Sequence, residues 1–228
     1  MLFIIDFDGT VAPTDTVDAL LERFADPEWR RIEERWVAGE INSQECMAAQ
    51  LALVRGSSAV LREFLQSVVV DRFFPQFVRE VSAFAQLAIV SDGLDHPIRH
   101  AMRRIGAAVP IFANHLLFRG DGLALSFPYT DAACKVKSGV CKCAVARAVD
   151  AGRGLPTVLI GDGHSDRCIA RCVDYVFAKG SLRKFCEAEN IVHTPFESFS
   201  DVLSVIRGWT ARFDSEGARE LICPPSTP

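Results

Sequence analysis

Five apolar residues, Met1 to Ile5, run directly into Asp6, and a second carboxylate follows at Asp8 in the stretch MLFIIDFDGT. In a strand, residues i and i+2 point the same way, so Asp6 and Asp8 face one point while Phe7 packs away from it. Gly9 then releases the backbone for a turn. A second acidic cluster, in TVLIGDGHSD, sets Asp162 and Asp166 around glycines after another apolar run. A third run, LAIV, ends in Ser91-Asp92-Gly93, which offers a hydroxyl and loop amides. Lys142 opens a helical stretch that leads into the strand before Asp162. Carboxylates gathered at one edge repel one another unless a cation or a proton intervenes. Oxygen ligands in a partly open site favour Mg2+, which keeps waters and accepts a phosphate oxygen. A carboxylate nucleophile, a second carboxylate, a metal site, a hydroxyl and an ammonium suit phosphoryl transfer, where positioning and charge neutralisation do most of the catalysis.

These groups meet only if the strands carrying them are parallel neighbours. The apolar segments LFII (2–5), LAIV (87–90), VPIF (109–112) and TVLI (157–160), with a weaker YVFA (175–178), alternate with helical stretches. That rhythm predicts an α/β fold, a doubly wound and mostly parallel sheet covered on both faces. Residues 14–70 break it. TVDALLERFA, EWRRIEERWVAG, SQECMAAQLALV and AVLREFLQSVVV show helical periodicity, punctuated by Asp26-Pro27, by 39–42 and by 55–58. The simplest arrangement is a small α-helical cap inserted after the first strand, over the strand ends where open α/β sheets bind ligands. The core is then 1–13 with 71–213. LLFRGDGLALSF (116–127) reads as a hairpin, and 214–228 as a flexible tail.

At 228 residues with 49% hydrophobic content, the chain suits one sizeable domain plus an accessory one. A formal charge of −4 gives no basic footprint for nucleic acid. No apolar run approaches the roughly 18 residues of a membrane span. Asp6 and Asp8 interrupt the apolar start, which argues against a signal peptide. Eight cysteines then read as reduced thiols of a cytoplasmic protein. Cys134, Cys141, Cys143, Cys168 and Cys172 lack the spacing of a C-x-x-C zinc pair and suit small packed hydrophobes better.

In order along the chain, DFDGT, SDG, Lys142 and GDGHSD resemble the four motifs of the haloacid-dehalogenase superfamily of phosphatases. The resemblance implies that Asp6 attacks phosphorus to form an aspartyl-phosphate. Asp8 would protonate the leaving oxygen and then activate water. Mg2+ would be held by the Asp6 carboxylate, the Asp8 carbonyl and Asp162, with Asp166 behind them or acting through water. Ser91 and Lys142 would grip the phosphate, with Thr10, Asp92 and Gly93 beside them. Lys135 and Lys137 are also near in sequence, but Lys142 sits at the start of the AVARAV helix. Asp166 can also cap the helix that follows it, and His164 reads as a solvated loop residue. Trp29, Trp36 and Phe24 read as cap core.

A helical insertion between the first two motifs resembles the C1 cap of the phosphoserine-phosphatase-like branch. A closer likeness, through DFDGTVAPTD, DPEW, INSQEC, FANH and FAKGSLRKFCEAENIVHTPFESF, is to the methionine-salvage phosphatases of 2-hydroxy-3-keto-5-methylthiopentenyl-1-phosphate. Phosphoserine phosphatases carry a glutamate where this chain has Asp15, and a cap phenylalanine and arginine where it has Ser43 and Gln50. Arg35 and Arg55 stand open as substitutes for that arginine. Against the salvage family, this chain has SDG for SGG and VCKC for CCKP. Three activities compete: hydrolysis of a small phosphorylated metabolite, phosphotransfer to another acceptor, and a catalytically silent module that binds a phospho-ligand.

Overall fold

Leu2–Ile5 form β1, and all four side chains are buried because the strand lies in the middle of a seven-stranded sheet. The computed structural model describes residues 1–216 except 120, 121 and 135. The other strands are β2 (Gln86–Leu94), β3 (Ile111–Arg119), β4 (Gly122–Ser126), β5 (Thr157–Gly161), β6 (Tyr175–Ala178) and β7 (Thr194–Pro195). Their order is β4-β3-β2-β1-β5-β6-β7, parallel throughout except for the β3–β4 hairpin. The chain steps outward from β1 to β2 and β3, then crosses back to place β5 on the other side of β1. Between β1 and β5 lies the switch point where open α/β sheets leave a crevice.

Between β1 and β2 come α1 (Thr16–Phe24), α2 (Trp29–Val37), α3 (Ser43–Leu51), α4 (Ser58–Gln66) and α5 (Phe74–Val81). After β2 follow α6 (Asp95–Ile105), α7 (Lys142–Asp150), α8 (Arg167–Ala170), α9 (Gly180–Ala188) and α10 (Phe199–Glu216). Alternation along β1 sends Phe3 and Ile5 to one face, against α5, α6 and α10, and Leu2 and Ile4 to the other, against α7, α8 and α9. Phe74, Phe77 and Phe199 meet with ring centroids 4.9 to 6.0 Å apart under Phe3, a range in which aromatic pairs add to simple burial.

Helices α1 to α4 form a third cluster, in which Leu20, Leu21, Trp29, Leu51, Leu61 and Leu65 close on one another and on Leu94 and Leu116 of the sheet. Their starts follow the local chemistry. Asp15 accepts from Val17 N and Asp18 N, Asn42 and Glu45 form a reciprocal capping box, and Ser57 accepts from Val60 N. Each such cap stabilises its helix by about 1 kcal/mol.

Two features depart from the expected elements. The end of VPIF and the first arm of the hairpin are one strand: β3 runs from Ile111 through the buried Asn114 to Arg119 and pairs with β4. Residues 214–216 continue α10, while the rest of the expected tail, 217–228, lies outside the described residues. Among the described residues, no helix is long and apolar enough to cross a membrane.

Candidate active site

In register, Ile5 lies opposite Ile89 of β2 and Ile160 of β5, so Asp6 emerges beside Ser91 and Asp162 at one sheet edge. Asp6, nearly buried, receives Lys142 Nζ on Oδ1 at 2.8 Å. The same ammonium reaches Asp166 Oδ1 at 2.5 Å, and both residues are buried. Asp166 Oδ2 accepts from the amides of Asp162 and Gly163 at 3.2 and 3.1 Å. Its carboxylate therefore braces the loop that presents Asp162, and its side chain does not cap α8. Thr10 Oγ1 donates to Asp162 Oδ1 at 2.8 Å, which places the buried Thr10 under the acidic group.

Asp8 turns the other way. Its Oδ1 accepts from Thr16 N at 2.8 Å and Thr16 Oγ1 at 2.5 Å, at the start of α1, and Ser91 Oγ lies 3.5 Å from its Oδ2. Two glycines allow these approaches. Gly9 sits at φ +72°, and a Cβ there would fall 2.2 Å from Asp162 Oδ2; a Cβ on Gly93 would fall 2.1 Å from Asp8 Oδ2.

The electrostatics explain why such a cluster needs a cation. Asp6, Asp162 and Asp166 each bring an oxygen within 4.8 Å of the others. Burial raises Asp6 well above the usual carboxylate range; Lys142 opposes that rise, and Asp166 and Asp162 add to it. Burial, then Asp15, pushes Asp8 up to about 7 against the Thr16 hydrogen bonds. Burial raises Asp162 to about 6, against the Thr10 hydrogen bond and with the Asp166 charge. Lys142 is held above its ordinary value because Asp166 and Asp6 outweigh its burial. Lys142 is paired with Asp6 and Asp166, and Lys179 adds positive charge near Asp162, yet with Asp8 the carboxylates outnumber the ammoniums, which suits a cation. An all-oxygen donor set suits a hard one. Both oxygens of Asp166 are engaged with Lys142 and the loop amides, so Asp6 and Asp162 are the better ligands and Asp166 stands behind them.

Asp92 has a different surrounding from its neighbours in the motif. Its carboxylate accepts from Ser43 Oγ at 2.6 Å, Val140 N at 2.9 Å and Asn114 Nδ2 at 3.3 Å, and its carbonyl accepts from Asn114 Nδ2 at 2.6 Å. It thus ties α3 to β3 and to the segment leading into Lys142. Gln44 Nε2 adds a bond to Ser138 O at 3.2 Å.

A cavity of about 180 Å³ opens between these carboxylates and α1 to α3. Asp6, Asp8, Ser91, Asp92, Gly93 and Asp162 form its floor, whereas Thr10, Lys142 and Asp166 lie behind it. Trp29 and Phe24 join the cluster of α1 to α4, but Trp36 reaches the cavity wall and meets the exposed His164 edge-on at 5.2 Å. Lys137 is exposed in its loop, and Lys135 lies outside the described residues. The Cys143 thiol is pushed up to about 12 by burial and by Cys172, Cys141 and Cys168, yet the three-ligand group found among the described residues is the aspartate one.

The profile of the haloacid dehalogenase-like hydrolases matches residues 3–171 of this chain. A protein of an Exiguobacterium species named 2-hydroxy-3-keto-5-methylthiopentenyl-1-phosphate phosphatase is 34% identical over 212 residues, covering 90% of this chain and 96% of its own. One of the same name from Geobacillus kaustophilus is 29% identical, with 91% and 96% covered. Among solved structures, a phospho-aspartyl intermediate analogue of phosphoserine phosphatase superposes with a TM-score of 0.69 at 18% identity, over 90% of this chain and 97% of that one.

Proposed function

The chain belongs to the haloacid dehalogenase-like hydrolases and is a phosphatase, and we propose that it hydrolyses a small cytoplasmic phosphomonoester with Mg2+ through an aspartyl-phosphate on Asp6. The observation that carries this reading is the acidic group at the switch point, Asp6, Asp162 and Asp166 within 4.8 Å of one another with Lys142 paired to Asp6 and Asp166.

Asp6 attacks phosphorus as the ester P–O bond breaks, and the departing oxygen takes a proton from Asp8. Asp8 then takes a proton from water, whose oxygen displaces Asp6 and releases phosphate. An Asp8 value of about 7 lets one group serve both steps near neutrality. Lys142, on Oδ1 of Asp6, fixes the direction of the nucleophile. Ser91 Oγ, held by the Gly93 amide at 3.0 Å, faces the phosphate side. Mg2+ held by Asp6, Asp162 and the Asp8 carbonyl, with Asp166 behind, would supply positive charge to the phosphate oxygens.

Residues 14–70 serve as the cap over a core of 1–13 and 71–213. Val17, Trp36 and Met47 give the cavity an apolar side. That side and the names of the relatives favour 2-hydroxy-3-keto-5-methylthiopentenyl-1-phosphate as substrate. Phosphate release from it is expected to need Mg2+, to stop with a chelator and to exceed release from phosphoserine. No release from either, or from other small phosphomonoesters, sinks the proposal.

The same groups set a pH dependence of stability. Asp8 and Asp162 are raised from 3.8 to about 7 and about 6, so the fold favours their protonated forms. Their stabilising effect is full below 3.8 and disappears as pH rises through 6 to 7. Metal-free protein should therefore show a falling Tm contribution from pH 4 to 8, and Mg2+ should raise Tm more at pH 8 than at pH 5. Equal Mg2+ shifts at both values would refute this.

A further inference from the structure

Resting on that phosphatase reading, we propose that the cavity selects against phosphomonoesters whose leaving group carries a carboxylate, with Glu33 as the specificity-determining residue and Gln50 orienting it. The cavity floor already holds Asp6, Asp8 and Asp162, and the wall opposite adds Asp15, Asp18 and Glu33. Among the described residues, no lysine or arginine lines it. The arginines open as substitutes have other contacts: Arg35 pairs with Glu40 at 3.3 Å, and Arg55 donates to Ala52 O and Val54 O at 2.7 and 3.0 Å.

Glu33 differs from the other two wall carboxylates. Asp15 is committed to the amides that start α1, and Asp18 stands in the first turn of that helix, where the backbone dipole favours a negative charge. Glu33 lies mid-way along α2, away from either terminus. Buried Gln50 donates from Nε2 to its Oε2 at 2.8 Å, and Cys46 Sγ lies 3.8 Å from the same oxygen. Gln50 thus fixes the direction of the carboxylate without neutralising it. Burial, then Asp15 and Glu33, raises Asp18 to about 6, which shows that these charges feel one another. A leaving group with its own carboxylate would meet this wall unpaired, whereas an uncharged or apolar one meets Val17, Trp36 and Met47. Discrimination here comes from repulsion as much as from contact.

A matched pair of probes isolates the charge: glycerol 3-phosphate and 3-phosphoglycerate, which differ by a hydroxymethyl group against a carboxylate, with p-nitrophenyl phosphate as a common reference. The wild type should favour glycerol 3-phosphate in kcat/KM by roughly tenfold or more, as like-charge juxtaposition predicts. Glu33→Gln should narrow that ratio by about fivefold, since an isosteric amide removes the charge and keeps a hydrogen bond to Gln50. Gln50→Ala, which frees Glu33 to turn away, should narrow it too. The ratio cancels any loss common to both substrates, including partial misfolding. Equal kcat/KM values in the wild type, or a ratio unchanged by Glu33→Gln, overturn the proposal. No release from these three compounds, nor from 2-hydroxy-3-keto-5-methylthiopentenyl-1-phosphate or phosphoserine, overturns the phosphatase reading beneath it.

Discussion

Asp6→Asn is expected to abolish turnover while leaving the fold intact, with kcat lower by roughly four orders of magnitude or more, the scale seen when a nucleophile is removed. The asparagine keeps the shape of the side chain and an oxygen for Lys142 Nζ, now 2.8 Å from Asp6 Oδ1. It has no charged oxygen to attack phosphorus, so no aspartyl-phosphate forms. It also removes one of three like charges beside Asp162 and Asp166, which burial and mutual repulsion already disfavour in the metal-free protein. Its Tm at pH 8 without metal should therefore equal or exceed that of the wild type. The two readings separate chemistry from folding: phosphate release under Mg2+ and thermal unfolding of the same preparation. Beryllium fluoride should be captured by the wild type and not by the variant. A variant that keeps a tenth of the wild-type rate would remove Asp6 from the role of nucleophile.

What the chain reveals directly is whatever one strand end can dictate. The Asp6/Asp8 spacing, the glycines at 9 and 93 and the Asp162 loop are local patterns, and parallel pairing through Ile5, Ile89 and Ile160 brings them to one edge. Lys142 could be preferred over Lys137 because it starts a helix, and that helix delivers it to Asp6 and Asp166. Contacts between distant segments leave no such pattern. Asp92 reads as a phosphate-side residue, but Ser43, Asn114 and the Val140 amide are what engage its carboxylate. Thr10 reads the same way and lies beneath Asp162. Trp29 and Trp36 are seven apart, so helical periodicity puts both on the same face. Seven residues advance about 10 Å along the axis, enough to carry Trp36 out of the packed cluster to His164 and the cavity. Glu33 gave no signal at all, because its meaning depends on Gln50 from the next helix.

Lys142→Met should cost stability as well as activity, and the two losses should respond differently to pH and to metal. Lys142 is 3% exposed, and its ammonium lies 2.8 Å from Asp6 and 2.5 Å from Asp166. Methionine fills similar space but leaves two buried carboxylates facing each other beside Asp162. Removing one member of a buried ion pair typically costs about 3–5 kcal/mol, so at pH 8 without metal a loss of that order is expected in denaturant unfolding. At pH 4 to 5 Asp6, already raised by burial, can protonate in place, and a neutral carboxyl needs no counter-charge, so the loss should shrink there. Mg2+ should restore part of the stability at pH 8 by neutralising Asp6 and Asp162. It should not restore the rate, for two reasons. Asp6 loses the contact that fixes its direction, and Asp166 loses the anchor that lets its other oxygen hold the Asp162 and Gly163 amides. A variant as stable as the wild type at pH 8 would show that the triad of charges does not hold this edge of the sheet together. One equally destabilised at pH 4.5 and pH 8 would show that lost packing, not unpaired charge, is the cause.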